Sequence, residues 1–218
     1  MSSSTIETTR RRLTPRQAET VDRLAVAALE ELRTSGYDGL TIRNVAARAE
    51  VSAATAYTYF SSREHLVTEL FWRRLVGMAE PGVDRRHSAT NRATAVLSEL
   101  ALVAADEPEL STACTQAMLA TDPEVALLRD RIGAEMHRRL VVALGEETDA
   151  AVFRALEVAI SGALLQTGMG HLSYQQLPEL LGEIAGLVIA GSAEADQNQH
   201  DQGSGTGSDG DTRRGSAA

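Results

Sequence analysis

Between Thr41 and Leu66 the chain reads TIRNVAARAEVSAATAYTYFSSREHL, and this segment gathers most of the side chains whose type and spacing could do chemistry. By period it is a short helix capped by Thr41, a tight joint, and a second short helix capped by Ser52. The second helix offers Ser52, Ala53, Thr55, Ala56 and Tyr57 on its outer face. A DNA major groove accepts such residues: small side chains permit close approach, threonine bonds a base edge or meets a methyl group, and tyrosine hydroxyls reach phosphates. Tyr59, Arg43 and Arg63 add polar tips to the same stretch, whereas Phe60 at this spacing fits the plug of a small core. The competing reading is a surface helical hairpin with core aromatics. The clustering of polar ends on one short segment favours DNA.

Other chemistry is poorly supported. His65, His87, His137, His171 and His200 form no H-E-x-x-H or other ligand spacing, so no metal site is expected. The single cysteine, Cys114, suits a small core position better than a nucleophile. Gly205 to Gly210 has the G-x-G-x-x-G spacing, but with no strand before it and no helix after it the segment reads as linker. No enzyme and no cofactor are expected.

The elements that must position the Thr41–Leu66 segment are helical. Apolar residues recur at helical period almost everywhere and strand-like alternation is nowhere sustained, so an all-α fold is expected. The first helix starts at Thr14 as N-cap, with Pro15 at N1 and Gln17 completing a capping box. Val21, Leu24, Ala25, Ala28, Leu29 and Leu32 form its stripe and Gly36 stops it. A fourth helix opens with a capping box from Ser61 to Glu64 and runs to about Ala79, before Pro81 and Gly82. Further helices are expected near 88–106, 109–120, 123–144, 149–172 and 176–190. Residues 1–13 read as a disordered basic arm and 191–218 as a disordered tail with six Gly, four Ser and no Val, Ile, Leu, Met or Phe. The organisation is then a helix-turn-helix head over 14–60 and a helical body over 61–190.

With 218 residues the chain is one ordinary domain or two small ones. Its 21 basic residues, all arginine, face 30 acidic ones for a net charge of −9. Residues 1–75 carry a net +2 and the remainder a net −11, which fits a head facing a polyanion and a body that repels it. No apolar run approaches the 18 or so uninterrupted residues of a membrane span. Charges after the Arg10-Arg11-Arg12 triplet occupy the place of an export signal's apolar region, so a cytoplasmic protein is expected. The triplet and Arg16 could enter a minor groove as an arm, or form a solvated tail that attracts any polyanion.

The segment resembles the DNA-binding head of the tetracycline-repressor (TetR) family, whose pattern is approximately T-x-R-x-I-A-x-x-A-G-V-S-x-G-T-x-Y-x-Y-F-x-S-K-x-x-L. Thr41, Arg43, Val45, Ala46, Ala49, Val51, Ser52, Thr55, Tyr57, Tyr59, Phe60, Ser62 and Leu66 match it or substitute conservatively. Glu50 stands at the pattern's turn glycine, which would cost about 1–2 kcal/mol in a left-handed conformation. Ala54 replaces the recognition-helix glycine, and Arg63 replaces a lysine, keeping the charge while offering a forked donor to a phosphate.

The resemblance implies a homodimeric regulator, a repressor of a palindromic operator on double-stranded DNA, released by a small effector held in the body. Only Phe153 and Tyr174 among the eight aromatics lie beyond residue 72, so the pocket should be mostly aliphatic and the effector lipophilic. Phe71, Trp72, Leu75, Met78, Leu97, Leu100, Cys114, Met118, Met136, His137 and Gln166 are its candidate lining. Dimerisation falls to the last two helices, through the small residues of Ala159–Leu165 and the stripe Leu177, Leu180, Leu181, Ile184, Leu187 and Val188. Two alternatives remain: a ligand-independent DNA-binding protein with a packed body and an architectural or division-linked role, and an α-helical enzyme.

Overall fold

The computed structural model of the chain describes residues 14–204. The basic arm with Arg10, Arg11 and Arg12, and the Gly205–Gly210 segment, lie outside the described residues. Among the described residues every regular element is helical: α1 Pro15–Gly39, α2 Ile42–Arg48, α3 Ala53–Tyr59, α4 Arg63–Gly77, α5 Ala89–Asp106, α6 Pro108–Ala117, α7 Pro123–Leu144, α8 Ala150–Gly168 and α9 Leu177–Ser204, with a 3₁₀ turn Tyr174–Gln176 before α9. This is an all-α fold with an N-terminal helix-turn-helix.

Local chemistry accounts for the boundaries. Thr14 and Gln17 form the capping box of α1 around Pro15. Helical dihedrals break at Gly36, whose φ of 67° and ψ of −177° suit glycine, and the chain closes one more turn before Leu40 bonds back to the Tyr37 carbonyl. Thr41 and Ser52 cap α2 and α3 by accepting from the Asn44 and Thr55 amides. At α4 the expected box shifts by one residue: Ser62, not Ser61, is the N-cap, accepting from the His65 amide. Ser61 is turned toward His65 and Asp122 instead, and α4 ends at Gly77, short of Ala79. At the other end of the chain, α9 carries on through 191–204, which composition assigned to the tail. Residues such as Ala193, Glu194 and Ala195 are good helix formers, and extending an existing helix needs no new nucleus.

One contiguous core runs through the molecule from Val21 and Leu24 of α1 to Leu181 and Ala185 of α9. Phe60 is 1% exposed and closes the small core beneath α2 and α3, as its spacing predicted. In the body, α5 packs along α9 and α4 lies against α6 and α7. The α5–α9 approach is close enough that a Cβ at Gly182 would lie 2.9 Å from Thr94 Cγ2.

Candidate nucleic-acid interface and helical body

The helix-turn-helix is held by a short turn and one polar tie. Glu50 occupies the joint between α2 and α3 with φ 56°, the sole non-glycine residue at positive φ among the described residues. Arg48 of α2 donates through Nε to Glu31 Oε2 of α1 at 2.9 Å, and Ser35 donates to Glu31 Oε1 at 2.9 Å. The Ser35 hydroxyl, together with Arg48, keeps the Glu31 carboxyl below the usual range although burial opposes this. The pair fixes α2 on α1 and so sets the angle at which α3 leaves the head.

The sequence-predicted DNA residues fall into three groups. Arg43 of α2 and Tyr57 of α3 are exposed, Tyr57 to 48%, while Thr55 and Tyr59 are half-buried with Ala53 beside them. Thr41 and Ser52 are exposed, but their oxygens cap α2 and α3, and the Ser52 and Thr55 hydroxyls share a 2.8 Å hydrogen bond. Two expectations need correction. Ala56 is 1% exposed and packs inward with Phe60, because residues 56 and 60 are one helical turn apart on the inner face. Arg63 is not a free fork: Nε donates to Glu64 at 2.9 Å, Nη1 donates to the Tyr37 carbonyl at 3.2 Å, and the guanidinium lies 4.5 Å over the Tyr37 ring. Burial, with the Glu64 charge beside it, pushes the Tyr37 phenol up to about 12. Arg63 thus anchors the start of α4 to the turn that precedes α2.

The fourth helix joins head to body, and polar groups that sequence reading overlooked fix both of its ends to α7. At the N-terminal end Ser62 Oγ donates to Asp122 Oδ2 at 2.6 Å and Ser61 Oγ at 3.2 Å. Asp122 also caps α7 through the Glu124 amide. Burial would raise the Asp122 carboxyl, but these hydrogen bonds outweigh it and hold the group below the usual carboxylate range. At the C-terminal end Arg139 of α7, 1% exposed, donates to the Ala79 carbonyl at 2.9 Å and the Leu75 carbonyl at 3.3 Å, and pairs with Glu135 at 2.8 Å. Arg138 spans Glu135 and Glu80 beside it. The Asp122-Pro123 break carried a signal for the first contact. Glu135 and Arg139, spaced i and i+4, look like an ordinary surface pair in sequence, so the second had none.

Further charges tie α4 to the head and to the α5–α6 corner. Arg73 bridges buried Glu69 at 3.0 Å and Asp22 of α1 at 3.2 Å. Arg74 pairs with Asp106, and Glu107 is shared with Arg33 of α1. Glu69 is fully buried, its Oε2 has no hydrogen-bond partner, and burial raises its carboxyl above the usual range.

The predicted effector lining separates on inspection. Phe71, Leu75, Leu97, Leu100, Cys114 and Met136 are buried in the common core, with Trp72, Met78 and Met118 packed against it. His137 and Gln166 are on the surface and do not join them. His137 pairs with Glu157 at 2.6 Å and meets the edge of Phe153. Both misassigned residues sit on amphipathic helices, where one position's difference moves a side chain through about 100°. Burial pushes the Cys114 thiol up, so it is no nucleophile. Of the eleven, only Met78 touches any of three open clefts of 410–790 Å³ on the described surface.

The last two helices present uncovered apolar positions. Val158 and Leu165 of α8 and its C-cap Met169 are 67%, 42% and 52% exposed, and with Gly162 they fall at i, i+4, i+7 and i+11 on one face. A Cβ at Gly162 would meet nothing within 4 Å. On α9 the predicted stripe splits: Leu177 and Leu181 turn into the core, while Leu187 is 76% exposed and Leu180, Ile184 and Val188 are half-buried. By length and composition α8 is long and apolar enough to cross a membrane, yet it packs on α6, α7 and α9 and carries Arg154 and Glu157.

Comparison with known proteins places these features. The family model described as "Bacterial regulatory proteins, tetR family" matches residues 24–70. An HTH-type transcriptional regulator of Mycobacterium tuberculosis is 46% identical over 181 residues, spanning 82% of this chain and 84% of that one. The HTH-type transcriptional repressor KstR of Rhodococcus jostii is 29% identical over 149 residues, 64% of this chain and 68% of its own. Among solved structures, a TetR transcriptional regulator from Rhodococcus sp. RHA1 shares the fold with a TM-score of 0.66 and 21% identity, over 81% of this chain and 98% of that chain. The regulator FadR of Bacillus subtilis, in complex with stearoyl-CoA, has a TM-score of 0.54 and 17% identity, over 78% and 98%.

Proposed function

The chain belongs to the TetR family of bacterial regulatory proteins and is a DNA-binding transcriptional regulator rather than an enzyme, and from that premise we propose that it is a homodimeric cytoplasmic repressor of a palindromic operator, released by a small lipophilic effector. Residues 14–60 form the head and 61–190 the effector-binding and dimerising body. Arg43, Thr55, Tyr57 and Tyr59, with the caps Thr41 and Ser52 and the small Ala53, face the duplex. The observation that carries the reading is the pairing of an exposed recognition helix with an uncovered apolar face on α8 and α9. A two-fold pair joined through that face would present two recognition helices to two half-sites. The repressor sense is supported by the name of the KstR relative. A lipophilic effector is supported by the stearoyl-CoA held by FadR and by the aliphatic composition of the body.

Selection of bound sequences from a random duplex pool tests the DNA reading and should return an inverted repeat. On that duplex Arg43→Ala should lower the slope of log affinity against log salt by about 1 per half-site, the effect of one lost phosphate contact. Thr55→Ala should instead relax base preference. The ligand-independent alternative is favoured by one observation, the continuous packing of the predicted lining. A lipophilic library that shifts the melting temperature and releases the duplex supports the effector reading; a library that does neither leaves the packed alternative.

A further inference from the structure

We propose that Ser61, His65 and Asp122 form a proton-operated latch where the recognition helix meets the body: a proton taken up by His65 Nδ1 ties the head end of α4 to α7. His65 is 4% exposed, and its ring stands edge-on to Phe60 with the centroids 5.8 Å apart. The Ser61 backbone N–H donates to His65 Nδ1 at 3.2 Å. A nitrogen that accepts carries no proton, so the ring is neutral here, with its hydrogen on Nε2. Ser61 Oγ lies 3.1 Å from the same Nδ1 and 3.2 Å from Asp122 Oδ2. It has one hydrogen, and two acceptors compete for it.

Protonation ends the competition. Nδ1 takes a proton from solvent, which reaches the site past the exposed Ser61. The new Nδ1–H donates to Ser61 Oγ, the hydroxyl hydrogen passes wholly to Asp122 Oδ2, and the Ser61 amide gives up its acceptor. The result is a relay from imidazolium through hydroxyl to carboxylate, charge-assisted at both ends. Asp122 is ready for it throughout. Burial raises its carboxyl, but the hydrogen bonds from Ser62, the Glu124 amide and Ser61 outweigh this and hold it below the usual range. It is therefore ionised where an imidazole titrates, at about 6.5 in model peptides. From α7, Asp122 is the charge that acts on His65, and Glu124 follows it in the first turn. On α4 itself Arg63 and Glu64 turn to Tyr37 of α1, and Glu69, one turn on, feels Arg73 and Arg131. Asp22 of α1 reaches Arg73, and Asp106 and Glu107 at the α5–α6 corner reach Arg74, two turns or more farther along. The latch stands on this geometry alone. Its consequence rests on the function proposed above, in which the chain without effector is the form that grips DNA: the latch holds the recognition helix in place, and acid makes release harder.

A double-mutant cycle in urea tests the latch on the full chain without DNA, with His65→Gln, Ser61→Ala and the two together, at about pH 8 and about pH 5.5. Glutamine keeps an acceptor but does not titrate, and every other titrating group cancels in the cycle. The coupling between positions 65 and 61, expressed as a ratio of unfolding constants, should grow at least about threefold toward acid, the effect of one partly exposed charge-assisted hydrogen bond. An unchanged ratio overturns the latch. A ratio that grows toward pH 8 overturns it too, since Ser61 then gives its hydrogen to the neutral ring. If His65→Gln does not fold, the destabilisation by Ser61→Ala alone reads the same quantity and should grow by the same factor toward acid. On the duplex selected from the random pool, the affinity of the wild type relative to Ser61→Ala should rise at least about twofold over the same range. A flat affinity ratio overturns the latch's hold on the head. If the coupling responds and the pool yields no bound duplex, the latch stands and the DNA reading fails.

Discussion

Glu50 shows what a single residue can reveal when its type conflicts with its backbone. A glutamate at φ 56° carries a steric cost that glycine does not, so Glu50→Gly should raise stability by about 0.5–1 kcal/mol after allowing for the greater freedom of the unfolded chain; urea unfolding measures this. The sequence located this strain, because the position falls where the family pattern has glycine. It could not locate Glu69, whose place on α4 looks like any polar residue of an amphipathic helix until α1 and α7 close over it. Burial raises the Glu69 carboxyl, so the unfolded chain ionises first as pH rises. Stability is therefore lost between the unfolded value near 4.3 and the higher folded value, and the loss persists above it. Glu69→Gln should raise the melting temperature at pH 7 and have little effect near pH 3.5; equal shifts at both would contradict the assignment. The two outward-placed misses, His137 and Gln166, have the same origin as Ala56: composition and period name a helix but fix its rotation only to within about one residue.

At the scale of elements, caps were the legible part and ties between helices were not. Thr14, Thr41, Ser52 and Asp122 each start a helix where their chemistry says they should, because capping is decided within four residues. Ser61 yielded its expected role to Ser62 because Asp122, sixty residues away, recruits both hydroxyls. The α4–α7 pair depends on such long-range contacts. Arg139→Met removes the donors that satisfy the carbonyls of Leu75 and Ala79 and leaves Glu135 without one of its partners. A loss of about 3 kcal/mol or more is expected in chemical denaturation, with amide exchange rising first in the last turn of α4. A substitution cost within a few tenths of a kcal/mol would show that water replaces Arg139 without penalty.

Over the whole molecule, composition and charge asymmetry disclosed an all-α chain with a distinct head, but not its extent. The last helix outruns its apolar stripe because helix, once formed, extends into polar sequence. If α8 and α9 form the two-fold joint, Leu187→Arg with Val158→Arg should convert the dimer to monomer in sedimentation while leaving the helical content unchanged; an unaltered sedimentation coefficient would place the joint elsewhere. The buried arginine at the far end of α4 then acquires a geometric meaning. A rod held at both ends turns angle into travel once one grip lets go: α4 is about 22 Å long, so with the Ser61 and Ser62 hydroxyls released from Asp122 a tilt of about 5° about Arg139 carries its other end, and the recognition helix behind it, roughly 2 Å sideways. Mirrored across the two-fold axis, the displacement doubles to about 4 Å against a half-site separation of about 34 Å. That is enough to take one reading head out of phase with the helical repeat of DNA while every helix in the body stays intact.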